Sequence, residues 1–158
     1  MYPVVSRCRG FFAPRGHIYA MELYWTMRGR SISRGTGTGD LLVSPEPITF
    51  LSGVNPETGI VMEQGHPLEG QSIAGRVLAF PYGKGSTVGS YVIYALKQNG
   101  VAPAAIINTE AEPIIAVGAI ISGIPMVDRL PPEFSSLPPG TRVTVNGDTG
   151  EVSCDEAA

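Results

Sequence analysis

Lys84-Gly85-Ser86, a cation and a hydroxyl one glycine apart, is the stretch of this sequence best placed to do chemistry. A serine is a poor base in water, but beside a cation and backbone N–H groups its oxygen can hold a proton or a developing negative charge. Thr87 adds a second hydroxyl. The flanking elements explain how such a loop would be held. Val77–Phe80 is apolar, is bounded by Pro81, and predicts a buried strand. Val88, Tyr91, Val92, Ala95 and Leu96 recur at helical spacing and predict a helix from Ser86 or Thr87 to a left-handed Gly100. Strand, glycine turn and helix start then present several N–H groups at the positive end of a helix dipole, where an anion is stabilised. The same residue types also build an ordinary capped helix, since Ser and Thr are preferred N-caps. Lys84 has three possible jobs: holding an anionic group, stabilising the serine oxygen, or pairing with a carboxylate. The loop fits neither G-x-x-x-x-G-K-[ST] nor G-x-G-x-x-G, so no nucleotide is implied.

Beyond the helix, Ala104–Ile107 predicts a strand parallel to Val77–Phe80, with Asn108-Thr109-Glu110-Ala111-Glu112 at its carboxyl end. Pro113 suits the first turn of a second helix through Ser122, which Gly123 ends, and Pro125–Val127 gives a third strand. Right-handed crossovers in this β-α-β-α-β run place the loops after Phe80 and Ile107 on one sheet edge, where ligands collect. Lys84, Ser86, Asn108 and Glu110 are therefore expected to share one mouth. Lys84, Gly85, Thr87, Asn108 and Glu110 are the candidates for binding substrate or activating Ser86.

On the amino-terminal side, Leu41–Val43 and Ile48–Leu51 predict strands. Gly35–Asp40 reads as a flexible loop whose alternating glycines permit close approach of a ligand or form a plain turn. Thr141–Val145 and Glu151–Cys154 alternate as a closing hairpin. We therefore expect an α/β mixed fold in one domain over residues 28–154. Residues 1–27 are expected to be a poorly ordered extension, with 1–26 dispensable, and 155–158 a short tail.

The chain's 158 residues suit one domain, and 20 glycines with 14 prolines favour a turn-rich mixed fold over a helical bundle. The net charge of −3 conceals a basic start, in which residues 1–34 hold six of the eleven basic residues and a single acid. Without a lysine cluster this arm does not predict nucleic-acid binding. No apolar run is long enough to span a bilayer, and a cytoplasmic setting is expected without membrane contact. Cys8 and Cys154 alone build neither a disulfide framework nor a metal site, so no metal is expected on this chain.

The segments GTGTGDLLVSPEPITFLSGVNPETGIV, FPYGKGSTVGSYVIYALKQNGVAPAAIIN and EAEPIIAVGAIISGIPMVD resemble the small subunit of the aconitase X family. The resemblance covers about residues 28–130. Ser52 stands where the family pattern commonly has glycine, and Asn55 where it has aspartate. The resemblance implies a swivelling β/β/α domain like the small domain of aconitases. It also implies a large-subunit partner that carries an iron–sulfur cluster, of the 4Fe-4S type. The implied reaction removes water from a small phosphorylated hydroxy acid, (R)-5-phosphomevalonate, giving trans-anhydromevalonate 5-phosphate in an isoprenoid (mevalonate) pathway. Ser86 matches the family's proton acceptor. A hydroxyproline-type dehydratase of the same family is the alternative. The residues by themselves also fit a non-catalytic anion-binding or regulatory subunit whose Ser86 caps a helix.

Overall fold

The computed structural model describes residues 23–138 and 140–156, with side chains from Thr26 to Cys154. Eight strands are joined in the hydrogen-bonded order β1-β8-β7-β3-β4-β5-β6-β2. They are β1 Leu23–Arg28, β2 Arg30–Ser33, β3 Thr36–Val43, β4 Val77–Phe80, β5 Ala105–Asn108, β6 Met126–Asp128, β7 Arg142–Asn146 and β8 Glu151–Glu156. Two helices, α1 Gly89–Gln98 and α2 Pro113–Ser122, complete the regular structure with a 3-10 turn at Pro132–Ser136. Strand β3 belongs to two halves of the sheet. Its first residues, Thr36–Asp40, pair antiparallel with β7, and Leu41–Val43 pair parallel with β4.

Side-chain alternation along the parallel strands builds two cores. Leu78 and Phe80 of β4 join Ile106, Ile93, Leu96, Ile115 and Ala119 beneath the helices. Val77 and Ala79 point the other way and join Met27, Val143, Val145, Val152 and Cys154 from the antiparallel half. The antiparallel half thus lies over one face of the parallel half and the helices over the other, giving β/β/α layers. Strands β4 and β5 are buried throughout, which explains their unbroken apolar sequences. The helices approach closely because residue 118 is glycine: a Cβ there would sit 3.1 Å from the Ser90 Cα.

Four expectations change. Gly35–Asp40 is largely strand, because its glycines admit neighbouring backbone: a Cβ on Gly37 would overlap the Ala104 carbonyl oxygen, and one on Gly39 would lie 2.5 Å from that of Gly75. Ile48–Leu51 forms no strand and contributes a single bridge, Ile48 to Gly83. The folded body, expected from Arg28, includes β1 from Leu23, which pairs with β8 along Leu23–Arg28. Strand β8 extends through Glu156, into the expected tail. The remainder of the proposed extension, residues 1–22 with Cys8, lies outside the described residues. No helix among them is long and apolar enough to cross a membrane.

Candidate active site

The loop between β4 and α1 is held from below by the Ile48 segment. Lys84 N–H donates to the Ile48 carbonyl at 3.0 Å, and Ile48 N–H donates to that of Tyr82 at 3.3 Å. Gly85 has φ +93°, a conformation that favours glycine, and a Cβ there would press on Thr49 Cγ2 at 3.0 Å. Ser86 follows, partly buried. Its Oγ accepts the Val88 N–H at 3.1 Å, and its carbonyl accepts the Gly89 N–H at 3.2 Å.

The helix starts later than expected. Its first residue is Gly89, and Val88 holds the cap position without a side-chain hydrogen bond. Neither Ser86 nor Thr87 is the helix cap, so Ser86 stands in the loop with its hydroxyl engaged only in a local turn. The expected supply of N–H groups is correspondingly smaller, since Lys84, Val88 and Gly89 spend theirs within the protein. Among the described residues, the N–H groups of Gly85, Ser86 and Thr87 have no hydrogen-bond partner. Three successive unpaired donors on a glycine loop are available to an anion.

Lys84 turns its ammonium to Glu63, 3.1 Å away, in a partly exposed ion pair. Of its three possible jobs, the structure displays the pairing with a carboxylate. Lys84, Gly85 and Ser86 still line one small cavity of about 20 Å³, together with Phe50 and Glu112. Glu112 was not singled out by the sequence reading. Its carboxylate caps α2, accepting the N–H groups of Ile115 at 2.7 Å and Ile114 at 3.0 Å. An acidic residue directly before Pro113 was the available signal, since proline favours the first helical position.

Asn108 and Glu110 occupy other places on the same edge, so the expected common mouth is divided. Asn108 is buried, and its Nδ2 donates to the carbonyls of Phe80 at 3.1 Å and Ile107 at 3.3 Å. It borders a second, apolar cavity of about 470 Å³, lined also by Val43, Ala79, Ile107, Leu130 and Phe134. Glu110 forms a bidentate pair with Arg129 at 2.7 and 2.9 Å and lies 3.7 Å from Arg30. The Arg129 hydrogen bonds hold its carboxyl below the ordinary value of 4.5, aided by the charges of Arg129 and Arg30 and opposed by desolvation. Arg30 is in turn fixed by the buried Asp128 at 2.6 and 2.9 Å. Thr87 is exposed at the turn before α1.

The described residues do not fit an iron–sulfur cluster. They contain no group of three or more His, Cys, Asp or Glu side chains that could hold a metal, and Cys154 is buried within the core between the sheet halves. His66 is a structural tie: its Nδ1 accepts the Leu68 N–H at 3.0 Å and its Nε2 lies 3.1 Å from the Pro47 carbonyl oxygen.

A β/β/α domain with Ser86 on a loop at one edge of the sheet agrees with the swivelling domain that the sequence resemblance implied. The aconitase X swivel domain family matches residues 26–154, and the chain belongs to that family. Among its relatives, the phosphomevalonate dehydratase small subunit of Methanosarcina acetivorans is 59% identical over 127 residues, covering 80% of this chain and 88% of the relative. That of Thermococcus gammatolerans is 60% identical over 126 residues, covering 80% and 95%. The crystal structure of Thermococcus kodakaraensis aconitase X in its holo-form superposes with a TM-score of 0.79 at 56% identity, covering 83% of this chain and 98% of that one.

Proposed function

We propose that this chain is the small subunit of a hydro-lyase that, with a large subunit, dehydrates (R)-5-phosphomevalonate to trans-anhydromevalonate 5-phosphate. The observation that carries the reading is 59% and 60% identity to phosphomevalonate dehydratase small subunits across four-fifths of the chain. In this reading the iron–sulfur cluster belongs to the large subunit.

Dehydration of a β-hydroxy acid requires a base for the proton α to the carboxylate. Ser86 supplies it, standing on a loop fixed by Gly83, Gly85 and the Ile48 segment. The serine oxygen gains negative character as its own proton is drawn away, the unpaired N–H groups of Gly85, Ser86 and Thr87 offset that charge, and the oxygen can then take the substrate's proton. The same donors suit an anionic group of the substrate. Closure of the large subunit over the loop would exclude water and strengthen these contacts.

The test is an assay of this chain with its large subunit on (R)-5-phosphomevalonate and on cis-3-hydroxyproline. Turnover of the phosphorylated acid alone is expected. Turnover of hydroxyproline alone would move the chain to the alternative member of the family.

A further inference from the structure

Ser86 shares its cavity with a carboxylate that no part of the serine chemistry above uses. The cavity, about 20 Å³, has room for one water molecule. Its apolar walls are Phe50, Ile114 and Ile115, and its polar walls are Glu112, Ser86 and Lys84. Glycines bring the walls together: a Cβ on Gly83 would overlap the Ile115 side chain and lie 3.1 Å from Glu112 Oε1. The Glu112 carboxylate is held in place by two α2 N–H groups. Lys84, the cation nearest in sequence to Ser86, is committed to Glu63.

Resting on the function proposed above, we propose that one water in this cavity links the Ser86 hydroxyl to Glu112. Glu112 is then the positioning residue through which Ser86 sheds its own proton. As the α C–H bond of the substrate breaks, its proton passes to Ser86 Oγ. The Ser86 hydroxyl proton passes to the water, and a proton of that water passes to Glu112. The C–H electron pair becomes the new C=C bond. The C–O bond breaks, the oxygen leaves with its electron pair, and solvent protonates it to water. Glu112 returns its proton to solvent, and Ser86 ends as a neutral hydroxyl. A free alkoxide is never required, which answers the weakness of serine as a base.

Glu112→Ser in the complex with the large subunit separates this role from helix capping, because serine is itself a preferred N-cap. Wild-type turnover of (R)-5-phosphomevalonate is measured first. For Glu112→Ser, kcat is expected to fall by about 10²-fold or more with KM within about twofold, as for loss of a proton-transfer group. Its melting temperature should match wild type, and Glu112→Asp should restore most of the rate. The proton inventory of kcat in mixed light and heavy water should be curved for wild type and linear for Glu112→Ser. Where Glu112→Ser melts early, Glu112→Gln provides the same comparison at constant size. Wild-type kcat in both carboxylate-free variants, or no recovery with aspartate, would overturn the relay alone. Absence of wild-type turnover would overturn the proposed function and the relay with it.

Discussion

Lys84 and Ser86 are separated by one glycine, yet their side chains do different things. The lysine charge is drawn to Glu63 at 3.1 Å, and the serine hydroxyl stays in the loop. A partly exposed ion pair of this kind contributes little, so Lys84→Met should leave kcat and KM within about threefold of wild type. Steady-state kinetics of the complex measure this directly. Glu110, likewise, serves a charge network. Its folded-state pKa lies below the ordinary 4.5, so its stabilisation is present above pH 4.5 and is lost as the pH falls through the lowered value. Glu110→Gln should therefore flatten the acid side of the stability profile below that pH, as read by melting temperature against pH. Sequence reasoning named Glu110 and not Glu112, and it is Glu112 that lines the cavity beside Ser86. The choice between two carboxylates two residues apart depends on how the chain turns into α2, which residue type does not reveal. Ser52 illustrates the converse. Its φ of +65° lies in the region that favours glycine, which accounts for the glycine common at that place in the family pattern.

At the scale of elements, the β-α-β-α-β run was legible because long apolar strands and glycine-bounded helical periods carry strong local signals. The helix from Pro113 to Ser122 and its left-handed Gly123 occur as the sequence implies. The strands that pair antiparallel were harder. Strands β1 and β2 are short and carry arginines, and Thr36–Asp40 is rich in glycine, so their pattern is set by partners distant in sequence. The start of α1 was placed early because Ser86 and Thr87 are good caps, whereas the loop is pinned by Ile48 and becomes helical only at Gly89. Strand β1 has a practical consequence. Because Leu23–Thr26 pair with Ser153–Glu156, a chain beginning at Met27 should melt below one beginning at Leu23. Equal melting temperatures would show that the first four residues of this ladder add nothing.

At the scale of the molecule, two cores on either side of the parallel strands equip the isolated chain to fold by itself. The loop that carries Ser86 is at the surface, and the described residues offer no ligand set for a metal. On the proposed function, Ser86 is the proton acceptor and the remaining chemistry belongs to the large subunit. The isolated subunit is expected to be inactive. Ser86→Ala tests that division most directly, because the alanine removes the acceptor without removing a helix cap. The measurement is turnover of (R)-5-phosphomevalonate by the complex, alongside calorimetric binding of the same compound. The account predicts a loss in kcat of about 10²-fold or more with binding within about twofold of wild type. Wild-type kcat in the Ser86→Ala complex would contradict it.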